Sequence, residues 1–385
     1  MDIVNFFDYA SLKFVWWLLI GFLIAGFAVM DGHDMGICTL LPFVAKTDDE
    51  RRVVVNTIGA TWEGNQTWLI TGAGAIFAAW PIIYATAFSG FYWAMLAVLW
   101  AMFFRPVGFK YRSLVKNQTW RKTWDWGLFV GSFVPALLFG VALGNVIQGV
   151  PFHFDDTMRS FYTGSFWALL NPFALLCGLV SVAMLVLHGA IFLMNKTEGV
   201  VYQRTRKVLF PALIATLVLF SIGGWWVATG VDGYVVTAGT LSPDTLPNPL
   251  GKEVTQQTGA WLNNYQQYPL TMLVPLIAYA GFIIGTLLAR MDKMGAAFFF
   301  SALGVIGVIG TFGVSLFPFI MPSSSDLRSS LTVWDATSSH LTLVVMLFST
   351  AIMMPIILAY TSWAYKVMSG KVTVEDIREN DHSAY

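Results

Sequence analysis

Charge is scarce in this chain. Of its 385 residues only 11% are Asp, Glu, Lys or Arg, whereas soluble domains carry about 25%. Acidic and basic residues number 22 each, so the formal net charge is zero, and nothing points to a nucleic-acid partner. Cysteine is nearly absent. Cys38 and Cys177 both lie in apolar surroundings, which argues against a disulfide framework and against a thiolate metal site. The sequence has no GxxxxGKS or GxxxxGKT, no GxGxxG ahead of a helix, and no CxxCH or HExxH. ATP-driven transport and covalent haem attachment therefore have no support. The first twelve residues contain no Lys or Arg, so a cleavable signal peptide, which needs a basic start, is not expected.

What the chain has instead is apolar surface. Hydrophobic residues make up 56% and the mean hydropathy is +0.65. The apolar runs are continuous rather than alternating, which excludes a membrane β-barrel and predicts an all-α integral membrane protein. About 20 apolar residues cross a bilayer core of roughly 30 Å. On that measure the chain reads as one transmembrane domain, 1–385, with about nine transmembrane helices: 14–34, 54–79, 82–104, 123–147, 165–193, 208–229, 269–289, 295–318 and 340–366. The 54–104 stretch is divided at Trp80-Pro81, since proline disfavours helix just before it. The connection 230–268, rich in Gly, Pro, Asn and Gln, reads as an irregular outer loop. With the N-terminus outside and the C-terminus inside, 18 of the 22 Lys and Arg fall in inner segments, as the positive-inside rule requires. Most of the 16 Trp fall near predicted membrane boundaries, as interfacial belts do.

Ionisable residues within apolar spans are functional candidates by default, because each costs a few kcal/mol to insert. The stretch MDGHDMGICTLLPF, residues 30–43, places Asp31, His33 and Asp34 at the end of the first apolar run. The expectation is that helix 1 stops near residue 34. Gly32 would permit a bend, and ICTLLPFVA would lie along the inner interface. TWEGNQTW, residues 61–68, puts Glu63 in the inner half of helix 2 beside Asn65 and Gln66. RKTWDWG puts Asp125 near the inner surface. Asp31, Asp34, Glu63 and Asp125 are thus expected to converge, either as a proton route or as structural partners of Arg105, Arg112, Arg121 or Lys122. His33, His188 and His340 are the histidines to weigh as haem ligands, but no spacing links any two of them, and hydrogen-bonded packing is the plainer reading. His153 and His382 lie in loops.

Several stretches resemble one family, subunit II of the cytochrome bd-type quinol oxidases. They include FVWWLLIG, MDGHDMGI, the run from ERRVVVNTIGATWEGNQTW to FSGFY, FFRPVGFKYR, WDWGLFVGSFVPALLFGVALGNVIQGVPF, LFPFIMPSS, LTVWDATSS and EDIRENDHSAY. Together they span nearly the whole chain. The resemblance implies two four-helix bundles plus one peripheral helix, in a bacterial cytoplasmic (inner) membrane. It implies a heterodimer with subunit I, which would carry haem b and haem d, and small accessory subunits. No haem ligand and no catalytic residue is expected in this chain, although some members hold a structural quinone. The complex would oxidise quinol outside and reduce O2 to water with protons drawn from inside.

Carried over residue by residue, the resemblance places Glu63 on an inner-side proton path. Asp31, Asp34, His33 and Lys110 are expected to join it, Lys110 as a charged residue at the entry and His33 or Asp31 as a substitute relay. It places Asp34 and Asp125 at a divalent-cation site. The chain departs from the family pattern twice. FKYR stands where FDYR is usual, so Lys110 replaces a carboxylate, and His33 stands where Phe is usual. The rival readings are a proton-coupled secondary transporter and a purely structural subunit without a proton role.

Overall fold

The computed structural model describes residues 8–239, 244 and 246–379. His382 and the end of the C-terminal motif lie outside the described residues.

Helix α1 (Tyr9–Val44) runs for 36 residues, about 54 Å at 1.5 Å per residue. Asp8 caps it, accepting from the Ser11 amide at 3.0 Å. It does not stop at residue 34. MDGHDMG and the segment after it are helical, and residues 31–41 are all buried, so neither the expected turn nor the expected interfacial segment forms. The reason is the close approach of α8 (Pro172–Lys196). A Cβ on Gly36 would lie 2.0 Å from the Leu185 carbonyl oxygen, and one on Gly189 would lie 2.8 Å from that of His33. Gly32 and Gly36, four residues apart, form the small-residue seam that lets membrane helices pack backbone to backbone. Gly32 serves contact with α8 rather than a bend.

Around α1 stand α2 (Asp48–Gly59), α3 (Trp62–Ala79), α4 (Pro81–Gly90), α5 (Tyr92–Met102), α6 (Phe104–Tyr111) and α7 (Gln118–Gln148). α2 opens with a capping box, Thr47 and Glu50 each satisfying the other's amide. Pro81 occupies the first turn of α4, where its missing N–H is no loss. α1, α3, α7 and the interrupted α4–α6 span form one bundle. α8 packs with α9 (Gly199–Thr229), α11 (Leu273–Arg290) and α12 (Met294–Leu316) to form a second, and α1 touches both. The short α10 (Asn263–Gln267) precedes α11, and α13 (His340–Val367) lies at the periphery against α1 and α3. α14 (Val374–Glu379) rests on α2.

Among the described residues, eight helices are long and apolar enough to cross a membrane. α3 is not among them, because its first turns carry Glu63, Asn65 and Gln66.

Three small antiparallel hairpins cover the end opposite the basic connections: β1–β2 (Phe152–Phe154, Ser160–Tyr162), β3–β4 (Asp232–Gly239, Lys252–Thr258) and β5–β6 (Phe319–Met321, Leu331–Thr332). The 230–268 connection is therefore not irregular throughout, as its composition suggested. Tyr234 stacks on Trp261 at 5.6 Å, and the Trp261 indole donates to the Ile147 carbonyl at 3.1 Å. Buried Lys252 ties β4 to Asp335 at 2.7 Å.

Candidate functional site

The site lies where α1, α3, α6, α8, α12 and α13 meet. Asp31 and Asp34 are neighbours one turn apart on α1, both fully buried. Their partners differ. Arg105 of α6 grips Asp31 with two parallel bonds, Nη1 to Oδ2 at 2.8 Å and Nη2 to Oδ1 at 2.5 Å. Its guanidinium lies 5.7 Å from the Trp62 ring, which stacks on Phe109. Asp31 is thus ion-paired across α1 and α6.

Asp34 has no guanidinium. Its Oδ2 accepts from Asn65 Nδ2 at 2.8 Å, and Asn65 Oδ1 accepts from the Tyr365 hydroxyl of α13 at 2.9 Å. The other oxygen, Oδ1, faces His33 Nε2 at 3.3 Å. His33 Nδ1 lies 3.0 Å from the Val29 carbonyl oxygen, and His188 Nε2 lies 3.1 Å from the same oxygen. His188 Nδ1 meets the Ser301 hydroxyl at 2.8 Å. Tyr365, Asn65, Asp34, His33, Val29, His188 and Ser301 form one buried polar chain that links both bundles and the peripheral helix.

The structure brings together two histidines that no sequence spacing linked, their ring centroids 6.0 Å apart. The signal for His188 was its place inside an apolar helix. Tyr365 gave no signal, being one aromatic among many. Among the three histidines weighed as haem ligands, His33 and His188 do not fit that role. Phe192 and Phe298 pack against the His33 ring, with centroids 4.2 and 5.6 Å away. Both His188 nitrogens and the Nδ1 of His33 are engaged. His340 sits at the start of α13 beside Tyr9, 5.2 Å between centroids.

Glu63 departs from expectation. It lies in the first turn of α3 but on the outward face, 61% exposed, and pairs with Lys110 at 3.1 Å. Asn65, two residues on, points inward, because alternate positions of a helix face different ways. The residue that replaces the family's second carboxylate is thus the ion-pair partner of the first.

Asp125 belongs to a separate, arginine-rich collar. Arg112 Nε donates to its Oδ1 at 2.6 Å and Arg51 Nη1 to its Oδ2 at 2.8 Å. The acidic first turn of α2 completes the collar: Asp48 binds Arg112 and Arg121, Asp49 binds Arg378, and Glu50 binds Arg204. Asp34 and Asp125, expected to share a divalent cation, have different partners. Two arginines bind Asp125, Asp34 is turned toward Asn65 and His33, and among the described residues no group of three or more His, Cys, Asp or Glu is placed to hold a metal ion.

Two interlocked helical bundles, with a peripheral helix and a buried carboxylate at their junction, define a multi-pass membrane subunit. Residues 12–368 match the family model described as cytochrome bd terminal oxidase subunit II. The chain is 51% identical to the cytochrome bd-I ubiquinol oxidase subunit 2 of Escherichia coli over 98% of its length and all of the relative. It is 50% identical to a probable cytochrome oxidase subunit 2 of Haemophilus influenzae with the same coverage. It is 30% identical to the cytochrome bd ubiquinol oxidase subunit 2 of Bacillus subtilis, over 94% of this chain and 98% of the relative. The solved bd oxidase structure from Geobacillus thermodenitrificans superposes with a TM-score of 0.66 over 93% of this chain and 98% of that one, at 11% identity, which is a likeness of fold. The chain belongs to the cytochrome bd terminal oxidase subunit II family. It is a subunit of an oxidoreductase complex, and the transporter reading is set aside.

Proposed function

We propose that this chain is the haem-free subunit II of a quinol:oxygen oxidoreductase, with ubiquinol as donor, as the names of its relatives suggest. It scaffolds a haem-bearing subunit I and conducts protons from the inner side toward it. The N-terminus is placed outside and the C-terminus inside, in line with the distribution of Lys and Arg. When bound in subunit I, haems b and d supply the oxygen chemistry. The residues of this chain supply a polar route through an apolar wall.

The observation that carries the proton role is the first turn of α3. One face presents Glu63 outward to Lys110 of α6, and the other presents Asn65 to Asp34, which faces His33. Glu63 and Lys110 form a solvated mouth in this reading. The buried Asp34 is the relay, since a carboxyl in a low-dielectric site can carry a proton where the bilayer cannot. Asp31, locked to Arg105, holds the geometry.

Scaffolding is supported by the outward face of α3. Gly64, Thr67, Thr71 and Gly74 are exposed on it, and an added Cβ at either glycine would meet nothing within 4 Å. Ile70 and Phe77 are exposed on the same face, and small and polar residues between apolar ones, beside an exposed ion pair, suit a packed protein helix better than lipid. Subunit I is the partner proposed for it.

The test is quinol-driven oxygen uptake by the purified complex carrying Asp34→Asn or Glu63→Gln, with haem spectra as the control for assembly. Lowered uptake at normal haem content is expected for both. Wild-type turnover in both variants would remove the proton role and leave a structural subunit. Purification of this chain alone as a stable monomer would remove the scaffolding role.

A further inference from the structure

His33 and Asp34 pose a problem of hydrogen accounting. A carbonyl oxygen only accepts, so His33 Nδ1, 3.0 Å from the Val29 oxygen, carries a hydrogen. In a neutral imidazole the Nε2 is then a bare lone pair. It faces Asp34 Oδ1 at 3.3 Å. Neither atom has another hydrogen-bond partner, and both side chains are 0% exposed. With Asp34 ionised and His33 neutral, two lone pairs would confront each other away from water. A buried acceptor left unmatched is destabilising, because it has given up its bonds to water. The second Asp34 oxygen is already served by Asn65, so the deficit lies only on the His33 side. One proton between Nε2 and Oδ1 satisfies both atoms.

The local ion pairing favours the same proton. Arg105 of α6 is matched by Asp31 of α1, which leaves Asp34, among the described residues, with no arginine or lysine bonded to it. Other titratable groups surround the pair. His188 of α8 is held between Val29 and Ser301, and Tyr365 of α13 donates to Asn65. Cys38 lies one turn further along α1, and Lys196, at the end of α8, donates to the Met368 carbonyl. A carboxylate without a bonded cation in a protein interior is destabilised by the loss of its hydration.

We infer that His33 and Asp34 form a one-proton dyad, a proton-binding site that holds one proton between Nε2 and Oδ1. The proton resides either as Oδ1–H facing Nε2 or as Nε2–H⁺ facing the carboxylate. It passes between the two atoms along their contact, and no other bond changes. Phe192 and Phe298 clamp the imidazole ring, so the contact keeps its geometry in both forms. The dyad rests on the proposed proton route only for the use made of the proton. Its occupancy follows from the contacts within this chain.

Infrared pH-difference spectroscopy on the purified complex tests this, comparing wild type, Asp34→Asn and His33→Phe at normal haem content. Between neutral and alkaline buffer the wild type should lose one signal of a protonated carboxyl or an imidazolium ring. Asp34→Asn should lack that signal. His33→Phe should lose its imidazolium component and shift the carboxyl band. Spectra that are the same in wild type and His33→Phe in both band regions would overturn the dyad, and this pair decides the matter even if Asp34→Asn fails to assemble. Oxygen uptake on the same samples separates the two readings. The signal present with uptake unaffected by the variants removes the relay and keeps the dyad. Uptake lowered with no such signal keeps the relay and removes the dyad.

Discussion

Asp31 and Asp34 are the same residue type, one turn apart on the same helix and equally hidden from water, yet they live under opposite conditions. Asp31 meets a guanidinium whose fork matches its two oxygens, which is the geometry that best offsets the cost of burying a charge. Asp34 meets an amide and an imidazole, and neither supplies a fixed positive charge. A carboxylate locked to arginine is poor at exchanging protons, because its charged form is held. A carboxylate without a cation exchanges them readily. In the proposed reading, the difference between structure and traffic lies not in the aspartates but in what α6 and α3 bring to them.

The largest effect is expected from breaking the Asp31 side. Arg105→Leu leaves a buried carboxylate unmatched, which costs about 3–5 kcal/mol. Haem spectra of membranes should show little assembled complex. Because a buried ion pair and an apolar pair of similar volume are often close in stability, the double variant Asp31→Leu/Arg105→Met should recover much of the loss. A double variant as damaged as the single one would show that the pair does more than hold α6 against α1.

Next in size is the seam that carries both aspartates. Gly36→Val drives a side chain into the Leu185 carbonyl of α8. Overpacking of this kind costs about 1–3 kcal/mol, here at the upper end because backbone must yield. The thermal midpoint of the purified complex should fall, and Gly21→Val, where an added Cβ meets nothing within 4 Å, should leave it nearly unchanged.

On the Asp34 side the expectation reverses. Asp34→Asn keeps a polar group beside Asn65 and removes only the titratable proton, so assembly should hold. Quinol-driven oxygen uptake should fall by about tenfold or more, within the range for loss of a positioned acid–base group. Equal damage to assembly in Asp31→Asn and Asp34→Asn would erase the distinction between the two positions.

The smallest effect is expected at Glu63. Its ion pair with Lys110 is more than half exposed on both sides, and pairs of that kind contribute about 0–1 kcal/mol. Glu63→Gln should leave the thermal midpoint almost unmoved and slow oxygen uptake less than Asp34→Asn does. A larger loss of uptake in Glu63→Gln would move the controlling relay from the core of the subunit to its mouth.

The sequence by itself determined the solvent. Long apolar runs and few charges admit only membrane-spanning helices, because no other open structure satisfies its backbone inside lipid. It also determined that Asp31, His33, Asp34 and Glu63 are unusual, since each interrupts or borders a greasy run. Only the tertiary structure decided what each of them does. Whether α1 ends at residue 34 depended on α8 approaching Gly36 closely enough to bury the next turn. Arg105 lies 74 residues from Asp31, Asn65 lies 31 from Asp34, and Tyr365 lies 300 from Asn65, and a long-range pairing of side chains leaves no local periodicity. Glu63 read as part of the inner-side cluster because it lies in an apolar span beside Asn65 and Gln66. In space it is Lys110 that faces it, on the outward side of a helix whose inward side carries Asn65. A helix turn places successive residues on different faces, so a polar cluster in sequence divides between core and surface, and only the packing of neighbouring helices settles which residue goes where.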